Sequence, residues 1–203
     1  MPQYRFDIKQ NSDEWLTLKV GKFSASTATE LLMDKKTVGY TNLINRIVEE
    51  RITGKATESK TFTGNVNTER GHEYEPLARE HYEFSSFNDV IQVGVVELDE
   101  WCLCSPDGLI NDNGLIQIKC PNFNTQKEYL KNPKVPTNYY KQMQFELFVT
   151  GREYNVFYSF HNYLPAVEIK VQRDEQLIYE ISERLNQAKT EVLAEIEFLK
   201  SLK

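Results

Sequence analysis

The sequence has little of what holds together a small secreted domain or a membrane protein. Its three cysteines are an odd number, which argues against a disulfide framework. Cys102, Cys104 and Cys120 are also one short of a four-thiolate cluster, so we predict packing residues in a reducing compartment. No apolar run reaches the roughly 18 residues of a membrane span, and the N-terminus lacks a signal-peptide pattern. We therefore expect a cytoplasmic protein with no membrane association.

Positive charge is also scarce. The 24 Lys and Arg residues against 30 Asp and Glu residues give a net charge of −6, which is unlike a typical DNA-binding surface. A local basic groove is still possible, because electrostatic steering depends on where charges lie. Acidic metal ligands would add negative charge that bound cations cancel. The composition thus counts mildly against a nucleic acid substrate, and the length of 203 residues is most simply one domain, residues 1–203.

Hydrophobic periodicity and turn signals predict an α/β protein. Helices are expected over residues 13–19, 27–33, 41–52, 69–84, 125–131, 138–150 and 174–202. Strands are expected over residues 90–98, 101–105, 115–120, 154–160 and 167–171. A capping box at Thr27–Glu30 and a hairpin turn at Asn111–Gly114 support two of the boundaries. The polar residues 55–64 are predicted to form a mobile loop.

The most informative stretch is Cys104-Ser-Pro-Asp107-Gly-Leu followed by Gly114-Leu-Ile-Gln117-Ile-Lys119-Cys-Pro. The period-two geometry of a strand places Gln117 and Lys119 on one face, where both can point toward Asp107. A carboxylate, a second oxygen ligand and a lysine on neighbouring strands are typical of a metal-dependent phosphodiesterase site. The Ile118 carbonyl is a further candidate ligand, since backbone oxygens commonly bind hard cations.

A third carboxylate is available in the helix that precedes these strands, where Glu75 stands just before Pro76. Each candidate also has an ordinary explanation. Asp107 could be an Asx-turn residue of a hairpin, Lys119 a solvated edge-strand lysine, and Glu75 a surface charge. The chemical interpretation therefore depends on whether these side chains converge on one pocket.

Four motifs in order carry a family resemblance: Arg70-Gly-x-x-x-Glu75-x-x-Ala-Arg79, Cys-Ser-Pro-Asp107-Gly-Leu, Gly-Leu-Ile-Gln117-Ile-Lys119-Cys-Pro and Tyr139-Tyr-Lys-Gln142-Met-Gln. The chain resembles lambda exonuclease and the YqaJ-type viral recombinase nucleases of the PD-(D/E)XK superfamily. That resemblance implies a PD-(D/E)XK nuclease core with a central mixed β-sheet flanked by helices. It also implies Mg²⁺, with Mn²⁺ as a possible substitute. The implied metal ligands and catalytic lysine are Glu75, Asp107, Gln117, Ile118 and Lys119.

The resemblance further implies a 5′→3′ exonuclease that acts on double-stranded DNA ends in phage-type recombination. It would form a ring-shaped homotrimer, work with a single-strand annealing protein, and act in the host cytoplasm if phage-encoded. Residues matched to DNA or 5′-phosphate binding are Lys19, Ser24, Ser26, Ser105, Tyr139 and Gln142. Their ordinary alternatives are a surface charge for Lys19, a helix cap for Ser26, core packing for Tyr139 and a solvated amide for Gln142.

Gln117 departs from the family pattern, which has Glu at this position. An amide oxygen can coordinate a hard cation but adds no negative charge, so metal affinity should fall. The chain is then either an inactivated variant made to trap substrate, which we favour, or a natural protein that tolerates Gln or binds ends without cutting. Two other functions stay open: a PD-(D/E)XK endonuclease and a catalytically silent DNA-end-binding module.

Overall fold

The computed structural model describes residues 1–57 and 66–202, apart from the side chains of residues 66–69 and 72. Seven helices lie in this part of the chain: α1 (Asp13–Leu18), α2 (Ala28–Leu31), α3 (Val38–Thr53), α4 (Val66–Ser86), α5 (Phe123–Lys131), α6 (Thr137–Thr150) and α7 (Glu175–Ser201). Its nine strands are β1 (Gln3–Arg5), β2 (Phe23–Ser24), β3 (Val90–Ile91), β4 (Val95–Asp99), β5 (Cys102–Cys104), β6 (Gly108–Ile110), β7 (Gly114–Lys119), β8 (Tyr154–His161) and β9 (Leu164–Gln172). The α/β architecture expected from the sequence is confirmed.

The strands form two mixed sheets rather than one. The first sheet has the order β1-β4-β5-β2 and the second the order β3-β6-β7-β8-β9. Strand β7 is central in the second sheet, antiparallel to β6 and parallel to β8. Helix α6 packs against β4 and β5 of the first sheet and against β8 of the second. The two sheets therefore share one helix, and the largest apolar core lies where α2, α3, α6 and α7 cover the first sheet.

Local chemistry explains most helix boundaries. Ser12 caps α1 by accepting a hydrogen bond from the Trp15 N–H, and Asp174 caps α7 in the same way. Helix α3 ends at Gly54, whose φ of 67° is the left-handed conformation that glycine adopts without strain. The capping box expected at Thr27–Glu30 is wrong, because the reciprocal pair is Ser24 and Thr27 around a 3₁₀ turn at Ala25–Thr27. Within the described part of the chain, no helix is long and apolar enough to cross a membrane.

The single strand expected over residues 90–98 is instead two strands in different sheets. The chain leaves the second sheet after Ile91 and enters the first at Val95. Between them, the Gly94 N–H donates to the Arg5 carbonyl oxygen at 3.0 Å. A Cβ at Gly94 would lie 1.9 Å from the Ile8 carbonyl oxygen, so only glycine fits this crossing. The expected loop at residues 55–64 falls largely on residues 58–65, outside the described residues.

The end of β7 that begins at Gly114 is held firmly. Arg152 Nη1 donates to the carbonyl oxygens of Asn111 and Gly114 at 2.9 and 2.7 Å. A Cβ at Gly114 would lie 2.3 Å from the Tyr154 ring, so the neighbouring strand packs directly on this backbone. These contacts set the register of β7, which pairs with β6 from Gly108–Ile116 to Ile110–Gly114.

Candidate active site

Four of the residues predicted as metal ligands or catalytic groups converge at the Lys119 end of β7. Glu75, Asp107, Ile118 and Lys119 line one pocket of about 350 Å³, and Gln117 contacts Asp107 directly. We call this the carboxylate pocket. Its other lining residues are Gly71, Cys120, Pro121, Asn122, Thr125, Tyr129 and Tyr139. The spatial convergence on which the sequence interpretation depends is therefore present.

Asp107 is held by contacts from the neighbouring strand. The pairing of β6 with β7 reaches only to Gly108 and Ile116, so the Ile118 N–H lies beyond the ladder and donates to Asp107 Oδ2 at 2.7 Å. The same oxygen accepts from Gln117 Nε2 at 2.5 Å. Both donors lie about ten residues along the chain from Asp107, so its carboxylate binds across strands and is not part of a local Asx turn.

Lys119 is not a solvated edge-strand lysine, because it lies on the central strand β7, is only partly exposed and lines the carboxylate pocket. Its Nζ lies 5.0 Å from the centroid of the Tyr139 ring. That ring in turn stacks on Phe157 with a centroid separation of 5.9 Å. Tyr139 thus both lines the pocket and packs against the core, and its ring lies beside the Lys119 ammonium group.

Glu75 lies on α4 and is paired with Arg79 one turn later, whose Nη2 donates to Glu75 Oε1 at 2.8 Å. Burial, followed by the negative charge of Asp107, raises the pKa of Glu75 to about 7. The charges of Arg79 and Lys119 act in the opposite direction and favour the ionised form. The two carboxylates repel each other when both are ionised, and a cation bound between them would relieve this repulsion.

The donor set fits a hard divalent cation only in part. The carboxylates of Glu75 and Asp107 and the Ile118 carbonyl are oxygen ligands of the kind that Mg²⁺ prefers. Gln117, by contrast, presents its NH₂ group to Asp107, while its Oε1 accepts from Gln142 Nε2 at 2.7 Å. Within the described residues, no group of three or more His, Cys, Asp and Glu side chains could hold a metal ion, which agrees with an amide at residue 117.

A second, larger opening adjoins the same carboxylates. It has a volume of about 910 Å³ and also includes Glu75 and Asp107 in its lining. We call it the N-terminal groove. Its remaining wall consists of residues 6–12, Pro76, Arg79 and residues 92–94. Gln10 ties this wall to the site, since its Nε2 donates to the carbonyl oxygens of Val93 and Pro106 at 2.9 and 3.0 Å. The carboxylates therefore stand between two cavities.

Of the residues matched to DNA or 5′-phosphate binding, Tyr139 lines the carboxylate pocket, whereas Lys19, Ser24, Ser26, Ser105 and Gln142 lie outside both linings. Lys19 Nζ stands 3.8 Å above the Trp15 ring, and the Trp15 indole N–H donates to Ser105 Oγ at 2.8 Å. Ser105 leads into Asp107, so this chain of contacts runs from Lys19 to the loop that carries the carboxylate. Ser24 is buried and Ser26 exposed, with their hydroxyl oxygens 3.0 Å apart.

Sequence reasoning missed Arg79, Glu146 and Asn155 as members of the site's hydrogen-bond network. Arg79 is four residues after Glu75, and Glu146 is four residues after Gln142, so helical spacing could have found both. Glu146 is fully buried and accepts from Gln142 Nε2 at 3.1 Å and from Asn155 Nδ2 at 2.8 Å. Burial, with a smaller effect of Asp107, raises its pKa to about 7. Gln142 is thus a partner of two site residues and not a solvated amide.

The chain is similar to a known protein family and to solved structures of exonucleases. Residues 14–153 match the model of the YqaJ-like viral recombinase domain. An alkaline exonuclease (LHK-Exo) from Laribacter hongkongensis is 34% identical, with a TM-score of 0.84 over 94% of this chain and 97% of that one. The values are the same for its complex with dAMP. A phage-related exonuclease from Haemophilus somnus 129PT shares the fold at 15% identity, with a TM-score of 0.67 over 90% of this chain and 96% of that one. No curated protein sequence matches the chain.

Proposed function

Because this chain belongs to the family of YqaJ-like viral recombinase domains, we propose that it is a metal-dependent 5′→3′ exonuclease of double-stranded DNA. It would resect DNA ends during phage-type recombination. The observation that carries the proposal is the convergence of Glu75, Asp107, residue 117 and Lys119 at the carboxylate pocket. The 34% identity to an alkaline exonuclease over nearly the whole chain supports the same reaction class.

The residues divide the chemistry between them. Glu75, Asp107 and the Ile118 carbonyl would hold Mg²⁺, with Mn²⁺ as a substitute, and residue 117 would complete the set. When bound, the cation would neutralise phosphodiester charge and favour deprotonation of the attacking water. Lys119 would stabilise negative charge that develops on the phosphate oxygens. Glu75 must lose the proton that its raised pKa favours before it serves as a ligand.

The two cavities on either side of the carboxylates suit a substrate that crosses the site. The N-terminal groove is the larger, at about 910 Å³, and we assign it to the DNA beyond the scissile bond. The carboxylate pocket would hold the nucleotide that is released. The structure of LHK-Exo with dAMP is a complex of that protein with a deoxynucleoside monophosphate, the kind of product that an exonuclease releases.

Polarity would come from recognition of the 5′ phosphate. Lys19 supplies the positive charge, and Ser24 and Ser26 supply hydroxyl donors near the start of the 3₁₀ turn. The contacts from Lys19 through Trp15 to Ser105 connect this anchor with the loop of Asp107. An end held by its 5′ phosphate presents the adjacent phosphodiester bond to the site, which gives 5′→3′ degradation.

The assembly and the partner follow from family analogy. We propose a homotrimeric ring that encloses duplex DNA and a single-strand annealing protein that receives the product strand. A ring is compatible with the net charge of −6, because only its channel has to attract DNA. Sedimentation velocity of the chain, alone and with short duplex DNA, checks the trimer.

The decisive experiment is digestion of 5′-phosphorylated linear duplex in Mg²⁺ by this chain and by Gln117→Glu. We expect the Glu variant to release mononucleotides and to exceed the parental chain by a large factor. The matched control is the double variant Gln117→Glu/Lys119→Gln, which keeps the ligands but lacks the lysine and should be nearly inactive. An inert Gln117→Glu variant at ample Mg²⁺ would contradict the nuclease proposal, and degradation of closed circular duplex would favour an endonuclease.

One observation favours a second candidate, a DNA-end-binding module without catalysis. Gln117 turns its NH₂ group toward Asp107, so the chain as it stands offers a cation one oxygen ligand fewer. In that case the parental chain would bind 5′-phosphorylated ends with the same affinity in Mg²⁺ and in chelator. A marked strengthening of end binding by Mg²⁺ would speak against this candidate.

A further inference from the structure

A continuous chain of hydrogen bonds leads from the carboxylate pocket into the protein interior. It begins at Asp107 Oδ2, which accepts from Gln117 Nε2 at 2.5 Å. Gln117 Oε1 accepts from Gln142 Nε2 at 2.7 Å, and the same nitrogen donates to Glu146 Oε1 at 3.1 Å. Glu146 Oε2 accepts from Asn155 Nδ2 at 2.8 Å. Gln117, Glu146 and Asn155 are all buried.

The direction of this chain is set by its inner end. When Glu146 is ionised, both of its oxygens accept hydrogen bonds, and Gln142 then turns its NH₂ group toward Glu146. That nitrogen also faces residue 117, which must therefore meet it with an acceptor. A glutamine at residue 117 can do so only by placing its NH₂ group toward Asp107, where a cation ligand is needed. A glutamate meets the same donor with one oxygen and keeps the other for the cation.

We propose that Glu146 is a positioning residue that acts through Gln142 to fix which atom of residue 117 faces the metal site. This inference rests on the proposed metal-dependent function. It predicts that an amide at residue 117 is a poorer ligand in this chain than loss of charge alone would make it. The carboxylate of Glu146 on α6 is fully buried and is not among the residues that line the carboxylate pocket.

The test is the isosteric variant Glu146→Gln, made both in the parental chain and in Gln117→Glu. A glutamine at residue 146 can accept from Asn155 and donate to Gln142, which lets the whole chain of amides reverse and brings Gln117 Oε1 to the cation. In the Gln117→Glu background the same reversal would set the Gln142 oxygen against a carboxylate. The reversal by itself should therefore favour cation binding in the first background and disfavour it in the second.

The measurement is Mn²⁺ affinity by electron paramagnetic resonance, without DNA. Removal of a buried negative charge weakens binding equally in both backgrounds, so the quantity that matters is the difference between them. We expect the effect of Glu146→Gln to be more favourable in the parental chain by about tenfold or more, the equivalent of about one hydrogen bond. A crystal structure of the parental-background variant with Mn²⁺ should show Gln117 Oε1 turned toward the ion.

The control is Glu50→Gln, which changes another buried carboxylate outside this chain of contacts. Glu50 accepts from the Gly21 N–H at 2.8 Å and from Arg46 at 3.0 Å, and its replacement should affect Mn²⁺ binding equally in both backgrounds. An equal effect of Glu146→Gln in both backgrounds would overturn this inference while leaving the proposed nuclease intact. Absence of Mn²⁺ binding even in Gln117→Glu would overturn both.

Discussion

Replacement of Gln117 by Glu is the perturbation for which the structure gives the clearest magnitude. Asp107 Oδ2 lies 2.5 Å from Gln117 Nε2, so the variant sets two carboxylates against each other and removes a hydrogen bond. At a separation of about 4 Å and an effective dielectric constant of about 20, two such charges repel by about 4 kcal/mol. Proton uptake or side-chain movement will relieve part of this repulsion, so the metal-free variant should unfold several degrees below the parental chain.

The effect of Gln117→Glu changes from destabilising to stabilising when a divalent cation binds. At the same separation the cation attracts the added carboxylate about twice as strongly as the carboxylates repel each other, about 8 kcal/mol. If the metal-free variant relieves its repulsion by protonation or movement, cation binding must restore that repulsion, which costs at most about 4 kcal/mol. The net gain is then about 4 kcal/mol, or roughly a thousandfold in Mg²⁺ affinity. Titration calorimetry with Mg²⁺ and thermal unfolding in chelator and in Mg²⁺ measure the two halves of the prediction.

Gln126→Glu is the matched control. Gln126 is fully buried and donates to the carbonyl oxygens of Ser159 and Pro165 at 3.2 and 2.7 Å. Its replacement should lower the unfolding temperature in chelator without any gain from Mg²⁺. If Gln117→Glu behaves in the same way, with equal midpoints in chelator and in Mg²⁺, the assignment of residue 117 to a cation site is refuted.

Three further predictions address the end anchor, the pH dependence and the fold. Lys19→Ala should slow digestion of 5′-phosphorylated duplex by the Gln117→Glu enzyme far more than digestion of 5′-hydroxyl duplex. Lys36→Ala, at an exposed lysine, is the control and should slow neither. Equal slowing of the two substrates by Lys19→Ala would exclude Lys19 from the phosphate site. The pKa of Glu75 rises from 4.5 to about 7 on folding, so its stabilisation of the metal-free protein is complete below about pH 4.5 and is lost as pH rises to about 7. Glu75→Gln should therefore flatten the fall in unfolding free energy between pH 5 and about 7.5 in chelator, and an unchanged slope contradicts the burial of its neutral form. Gly94→Ala should lower the unfolding free energy by about 1–3 kcal/mol, because its Cβ meets a backbone oxygen, and an unchanged denaturation midpoint would show that the crossing is not close-packed.

The long elements could be predicted because their patterns extend over several turns. The apolar face of α3 (Leu43, Ile44, Ile47 and Val48) is buried as periodicity indicates. Helix α7 and strands β8 and β9 were likewise found within a few residues of their ends. Strands β1, β2 and β6 were missed, since two or three residues are too few to display an alternation. Which sheet a strand joins is also not a local property, and for this reason the sequence predicts one strand over residues 90–98 where the structure has β3 and β4.

The same limit applies to the site. The face shared by Gln117 and Lys119 follows from strand geometry, and their neighbourhood to Asp107 follows from the hairpin at Asn111–Gly114. The inward part of the network could not be found in this way, because Asn155 reaches Glu146 only after β8 has packed beneath α6. Nor does composition show that the amide of Gln117 faces Asp107 with its nitrogen, which depends on a buried acceptor two contacts away.

The contacts of Arg152 and Tyr154 around Gly114 fix the register of β7, so the chemistry of the carboxylate pocket depends on a turn at the opposite end of that strand. Strand faces alternate with every residue, so loss of one residue from the Asn111–Gly114 turn would move Ile118 and Cys120 into the places of Gln117 and Lys119. After such a deletion the sheet could still fold, but Gln117 and Lys119 would face the apolar core. Apolar side chains would then line the carboxylate pocket, where phosphate should bind. Length variation in relatives of this protein should therefore be tolerated in other surface turns but purged from this one.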